Sequence, residues 1–160
     1  MNWVRAWAVG ILLLAGCGEN SQTVDLRPFL SAGVSYTDGT SFSTRYHFML
    51  AEPSLLGIWS KNDAQGSRTR DDDRNLSEEE AAELRELVED IRLSAPSQLG
   101  ECLEDTALLT LRLRDAMFEE TLYPTDPERQ ACNGAELFAN KEDVQAFLDA
   151  CRALLPEPVL

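Results

Sequence analysis

Basic charge is scarce in this sequence. Only two lysines, Lys61 and Lys141, accompany twelve arginines against 28 Asp and Glu, giving a formal charge of -14 over 160 residues. Neutralising phosphates takes a basic face, so this balance argues against a nucleic-acid partner. Histidine occurs once, as His47, and two of the three tryptophans, Trp3 and Trp7, fall within the first ten residues. Cys-x-x-Cys, Gly-x-Ser-x-Gly and a Gly-rich phosphate loop are all missing. That removes the usual signatures of dithiol redox chemistry, of a hydrolase nucleophile elbow and of nucleotide binding. A zinc site needs more ligands than one histidine and spare thiols supply. No apolar run reaches the ~20 residues that cross a bilayer as a helix. What is present, 44% hydrophobic and 26% charged residues with seven prolines and nine glycines, suits one globular domain with a real core.

The first twenty residues carry the clearest message. Arg5 precedes the apolar stretch Ala6 to Leu14, and Leu14-Ala15-Gly16-Cys17 follows directly. A positive start, a short apolar stretch and small residues before a cleavage point read as a secretory signal over residues 1–16. Leu14-Ala15-Gly16-Cys17 resembles the lipobox of bacterial lipoproteins. The resemblance implies that Cys17 becomes the N-terminus and carries diacylglycerol on its sulfur; without that modification it is a plain thiol just past a cleavage site. Two or three acyl chains hold a protein on a membrane durably where one does not. Gly18 rather than Asp after the cysteine points, under the enterobacterial sorting pattern, to the outer membrane. Removing residues 1–16 deletes Arg5 and no acid, which takes the formal charge from -14 to -15. Residues 17–25 then form a lipidated N-terminus and short tether. The domain stays near its membrane, facing the periplasm, where a neighbouring envelope protein is the natural partner.

Behind the tether, residues 26–156 read as a single α+β domain followed by a tail, 157–160. The expected architecture is an antiparallel sheet built from two strand groups with two amphipathic helices packed on one face. Leu26, Phe29 and Leu30 form the first apolar cluster. A weak strand over Ala32 to Thr37 joins, through Asp38-Gly39, the alternating strand from Ser41 to Leu50. Leu55 to Ser60 reads as a return strand apolar on both faces, with a further strand over Ser67 to Arg70. Ser77 and Glu80 form a capping box, Leu76 can staple onto Ala81, and a helix is expected over 78–92. Pro96 lies in the loop that follows. A hairpin over 106–114 and 117–123, turning at Asp115-Ala116, would pair Leu113 with Phe118 and Arg112 with Glu119, although Glu120 then faces Leu111. Asn140 caps a helix over 141–154 whose stripe is Val144, Phe147, Leu148 and Cys151.

With Cys17 assigned to lipid, three cysteines remain in an oxidising compartment, so one is left over. Cys102 and Cys132 flank the hairpin and are the expected disulfide. Cys151 sits on an apolar helical face as an inert thiol; its pairing with Cys132 is the alternative. His47 stands on a strand as a solvated or cross-strand residue more naturally than as a base. Asp71-Asp72-Asp73 is a solvated charge run before the helix, since it lacks the alternating oxygens and glycine of a calcium loop. Neither a metal nor a cofactor is expected. Trp59, in Leu55-Leu56-Gly57-Ile58-Trp59, is the one candidate binding residue: a core ring, or an exposed edge anchor for a protein partner.

The order of strands, then Leu76-Ser77-Glu78-Glu79-Glu80-Ala81-Ala82-Glu83-Leu84, then hairpin and closing helix, is similar to the emfourin family of small metalloprotease inhibitors over residues 40–155. The cysteines, the lipobox and the absence of a Gly-Gly strand opening depart from that family, so no inhibitory residue is carried over. The leading functional reading is a non-catalytic binding or assembly module of the bacterial envelope. A protease inhibitor is the alternative, and an enzyme comes last.

Overall fold

The computed structural model describes residues 29–38, 43–95, 108–127 and 135–158. Cys17, Cys102 and Cys132 lie outside them, and with them the lipidation and disulfide assignments. The described chain is α+β: a six-stranded antiparallel sheet, a two-stranded sheet and two helices. Strands β1 (Phe29–Thr37), β2 (Thr44–Ala51), β3 (Ser54–Asp63) and β4 (Gly66–Asn75) form a meander. Helix α1 (Glu78–Glu89) follows, then β5 (Leu93–Ser94). The hairpin β6 (Leu108–Asp115) and β7 (Glu120–Pro124) joins the meander by pairing β6 with β1, so the sheet order is β4-β3-β2-β1-β6-β7. The chain closes with β8 (Phe138–Ala139), which pairs with β5, and helix α2 (Lys141–Leu154). The segment that looked weakest in the sequence, β1, is a central strand. Its Ala32 and Val34 are fully buried.

Register places one buried set in rows across the sheet. Ala32 stands beside Leu50 and Leu113, Val34 beside Phe48 and Leu111, and Leu50 beside Leu55. Ala81, Leu84 and Val88 of α1 and Val144, Phe147, Leu148 and Cys151 of α2 belong to the same core cluster. The helix starts are as the sequence dictates. Ser77 Oγ accepts from Glu80 N while Glu80 Oε2 accepts from Ser77 N, and Asn140 Oδ1 accepts from Glu142 N and Asp143 N. Arg74, on the β4 edge, pairs with Glu80 and donates to the Leu154 carbonyl at 2.8 Å, tying that edge to both helices.

Several expectations are corrected. Helix α1 stops at Glu89 rather than 92, and Arg92 instead grips Asp143 through its backbone N–H, Nε and Nη2. This guanidinium holds the Asp143 carboxyl below the usual carboxylate range. The strand expected over Ser67 to Arg70 runs on to Asn75, so Asp71-Asp72-Asp73 lies on an exposed edge strand, where charge discourages further strand pairing. Leu30, expected in the first apolar cluster, is 50% exposed. The hairpin is shifted by three residues: Leu113 faces Thr121 and Arg112 faces Leu122. Asp115 Oδ1 accepts from Met117 N and Glu119 N, opening a wider loop, and Glu120 comes to face Arg114 and to pair with Arg112 at 2.8 Å. That relieves the mismatch of Glu120 against Leu111. An odd shift also flips the strand, which moves Leu122 to the other face and brings Tyr123 against the core.

Candidate functional site

Opposite the buried rows, the six-stranded sheet carries a second set of side chains. Ser35, His47 and Ile58 stand in one row, and Gly33, Met49 and Leu56 in the next, with Arg112 beside Gly33 and Thr110 beside Ser35. Alternation alone sends His47 here, because Phe48 on its C-terminal side must go to the core. Ser35 Oγ and His47 Nδ1 share a hydrogen bond of 2.9 Å. A β-carbon at Gly33 would lie 3.1 Å from the Phe48 carbonyl, 3.4 Å from His47 Cε1 and 3.6 Å from Arg112 Cβ, so glycine leaves room between the side chains of its two neighbouring strands. Arg112 spends Nη1 on Glu120, and its buried Nε has no partner among the described residues.

A groove of about 480 Å³ opens along this face. Ser35, Arg45, His47, Thr110 and Arg112 supply its polar lining, and Leu122 and Pro124 an apolar wall. Among the described residues no acid lines it, although the chain has 28; Glu120 stands at its margin, paired with Arg112. On the core side of the sheet, in register with Trp59, Tyr46 stacks on Tyr36 at 5.9 Å between ring centres, and Arg152 of α2 lies over its ring. Burial, and then Glu157, raise the Tyr46 hydroxyl above the ordinary tyrosine range.

Burial and the Arg112 guanidinium hold His47 below its ordinary value, with Glu120 opposing. The dominant charge acting on the ring is thus a cation. A general base oriented by a carboxylate has the reverse arrangement. What the groove offers is hydrogen-bond donors and positive charge, a setting for a negatively charged group. Because the folded value is depressed, the native state binds fewer protons at His47 than the unfolded chain does. Its contribution to stability is present above about pH 6.5 and is lost as pH falls through the lower folded value. With a single histidine in the chain, thermal melts between pH 5 and 7.5 isolate this group. The melting temperature is expected to fall on acidification across that window, and His47→Asn to flatten the dependence. Parallel curves for the two proteins contradict the assignment.

The other sequence candidates resolve differently. Trp59 is fully buried, packed edge-on against Phe48 with ring centres 5.6 Å apart, so it presents no ring to a partner. Cys151 is a free, buried thiol that burial pushes up to about 12, far from the thiolate that reactivity needs. Among the described residues, no three His, Cys, Asp or Glu side chains group to hold a metal ion, and no helix is long and apolar enough to cross a membrane. The groove was not foreseen. Its only signal was a half-polar strand face carrying His47, with Arg112 and Thr110 on the outward side of β6. Set against protein-family models, curated proteins and solved structures, the chain matches none.

Proposed function

We propose that this protein is a lipid-anchored module of a bacterial envelope that binds an acidic protein partner without catalysing a reaction. In this reading both amphipathic helices pack on one face of the six-stranded sheet, and the other face, with its groove, receives the partner. The Leu14-Ala15-Gly16-Cys17 sequence supports the anchor. One observation carries the binding assignment: among the described residues the groove is lined by Arg45 and Arg112 and by no acid, with Glu120 at its margin against Arg112, on a chain of charge -14. Charge of one sign collected in a concavity steers an oppositely charged partner and fixes its orientation.

The test places a photo-crosslinking amino acid at Thr110 in the full chain, in living cells. The expected result is a discrete adduct whose yield falls about tenfold with Arg45→Glu, and also in 0.5 M salt applied to isolated envelopes. An empty lane defeats the reading, as does an adduct indifferent to both perturbations.

A further inference from the structure

Three large apolar side chains stand out at one end of the molecule: Leu30 is 50% exposed, Met117 80% and Phe118 73%. They are neighbours through the fold, because Phe29 at the start of β1 is registered against Asp115 at the end of β6. Nor is the hairpin tip loosely held. Phe118 N donates to the Asp115 carbonyl at 3.1 Å, Asp115 N donates to Glu119 O at 3.1 Å, and Asp115 Oδ1 takes the Met117 and Glu119 amides. Within this turn Phe118 has φ +65°, a left-handed conformation that disfavours a bulky side chain. A glycine or asparagine would sit there with less strain, so the turn keeps an aromatic ring in the open against its backbone preference.

The same end receives the N-terminal segment. From Cys17 to Phe29 there are twelve residue steps, which reach at most ~43 Å. Bringing the opposite end of the sheet to the membrane would first use about 27 Å of that along β1. Resting on the anchored reading above, we infer that Leu30, Met117 and Phe118 seat in the headgroup layer of the membrane that holds Cys17. They turn an attachment at one point into an oriented one. Asp115, Glu119 and Glu120 flank the tip, and the arginines beside them, Arg112 and Arg114, are both paired with Glu120, so the fitting surface is zwitterionic rather than anionic. The orientation has a consequence for the groove. Ser35 and Tyr36, which line it, lie six and seven residues beyond Phe29, so its middle is carried roughly 20 Å from the bilayer, toward a partner.

The experiment uses full-length protein purified with its lipid and reconstituted into phosphatidylcholine vesicles containing doxyl-labelled phosphatidylcholine. Phe118→Trp and, as an independent second probe, Met117→Trp report on the tip. Gln65→Trp in the β3–β4 turn reports on the opposite end, and Trp59 is the buried internal reference. Emission from the two tip probes is expected to shift to the blue and to be quenched several-fold more than that of Gln65→Trp. Equal quenching at both ends, or none at the tip, overturns the inference while leaving the anchor standing. A blue shift without quenching also overturns it, because the tip is then covered by protein. A Cys17 that carries no lipid in mass spectrometry removes the anchored reading and this inference together.

Discussion

Gly57→Ala is expected to destabilise the domain by about 3 kcal/mol, at the upper end of what overpacking a core costs. A β-carbon at Gly57 would lie 2.5 Å from Cη2 and 2.9 Å from Cζ2 of Trp59, and 3.0 Å from Leu155 Cδ2. The indole folds back over its own strand and fills the place that any other residue would need. Neither wall gives way easily: Trp59 is fully buried against Phe48, and Leu155 is 6% exposed beneath the end of α2. For a domain of this size the loss corresponds to a fall in melting temperature of roughly 10 °C. A double-mutant cycle separates this account from a general intolerance of change in β3. Trp59→Leu costs stability by itself, yet in that background Gly57→Ala should cost less than about 1 kcal/mol. Additive costs, read from thermal or denaturant melts of the four proteins, would show that the indole is not what excludes the methyl. Trp59 Nε1 is buried with no acceptor among the described residues, so Trp59→Phe should be milder than Trp59→Leu.

Cys17→Ala is expected to abolish fatty-acid incorporation completely, since no other atom of the sequence pattern offers the sulfur that the lipobox resemblance implies is acylated. Metabolic labelling with an alkyne fatty acid, followed by detergent phase separation, reads the outcome. The wild type should take the label and partition with detergent, and the variant should do neither as a labelled species. Each buried methylene contributes roughly 0.8 kcal/mol, so two or three chains shift the partition by many orders of magnitude. No single substitution in the domain can match that effect. Label persisting in Cys17→Ala would remove the lipid from this position.

Much of the local structure is legible in the sequence because its causes are local. The capping box at Ser77 and Glu80, the Asn140 cap and the Val144, Phe147, Leu148 and Cys151 stripe are set by residues within one or two turns of one another. Where the cause lies elsewhere in the chain, the reading fails. The end of α1 depends on Asp143, more than fifty residues away, which claims Arg92. The hairpin register depends on the Asp115 carboxylate and on an ion pair between Arg112 and Glu120, which overrule the tighter turn suggested by apolar pairing. Gly57 did carry a signal, a glycine interrupting an apolar strand, which marks a close approach. The sequence does not say that the approaching group is the indole two residues on.

Sequence alone determined the acidic charge, the α+β class and the start of each helix, since each rests on composition or on neighbours in the chain. Tertiary structure decided which face of each strand is buried and which strand is central. It also decided that Trp59 is core rather than surface, and that Ser35, Arg45, His47, Thr110 and Arg112 meet in one groove. The reason is that cross-strand pairing joins residues separated by tens of positions, and a register change of one residue exchanges the faces. That choice is made by the summed fit of side chains across the whole sheet, a quantity no local window contains.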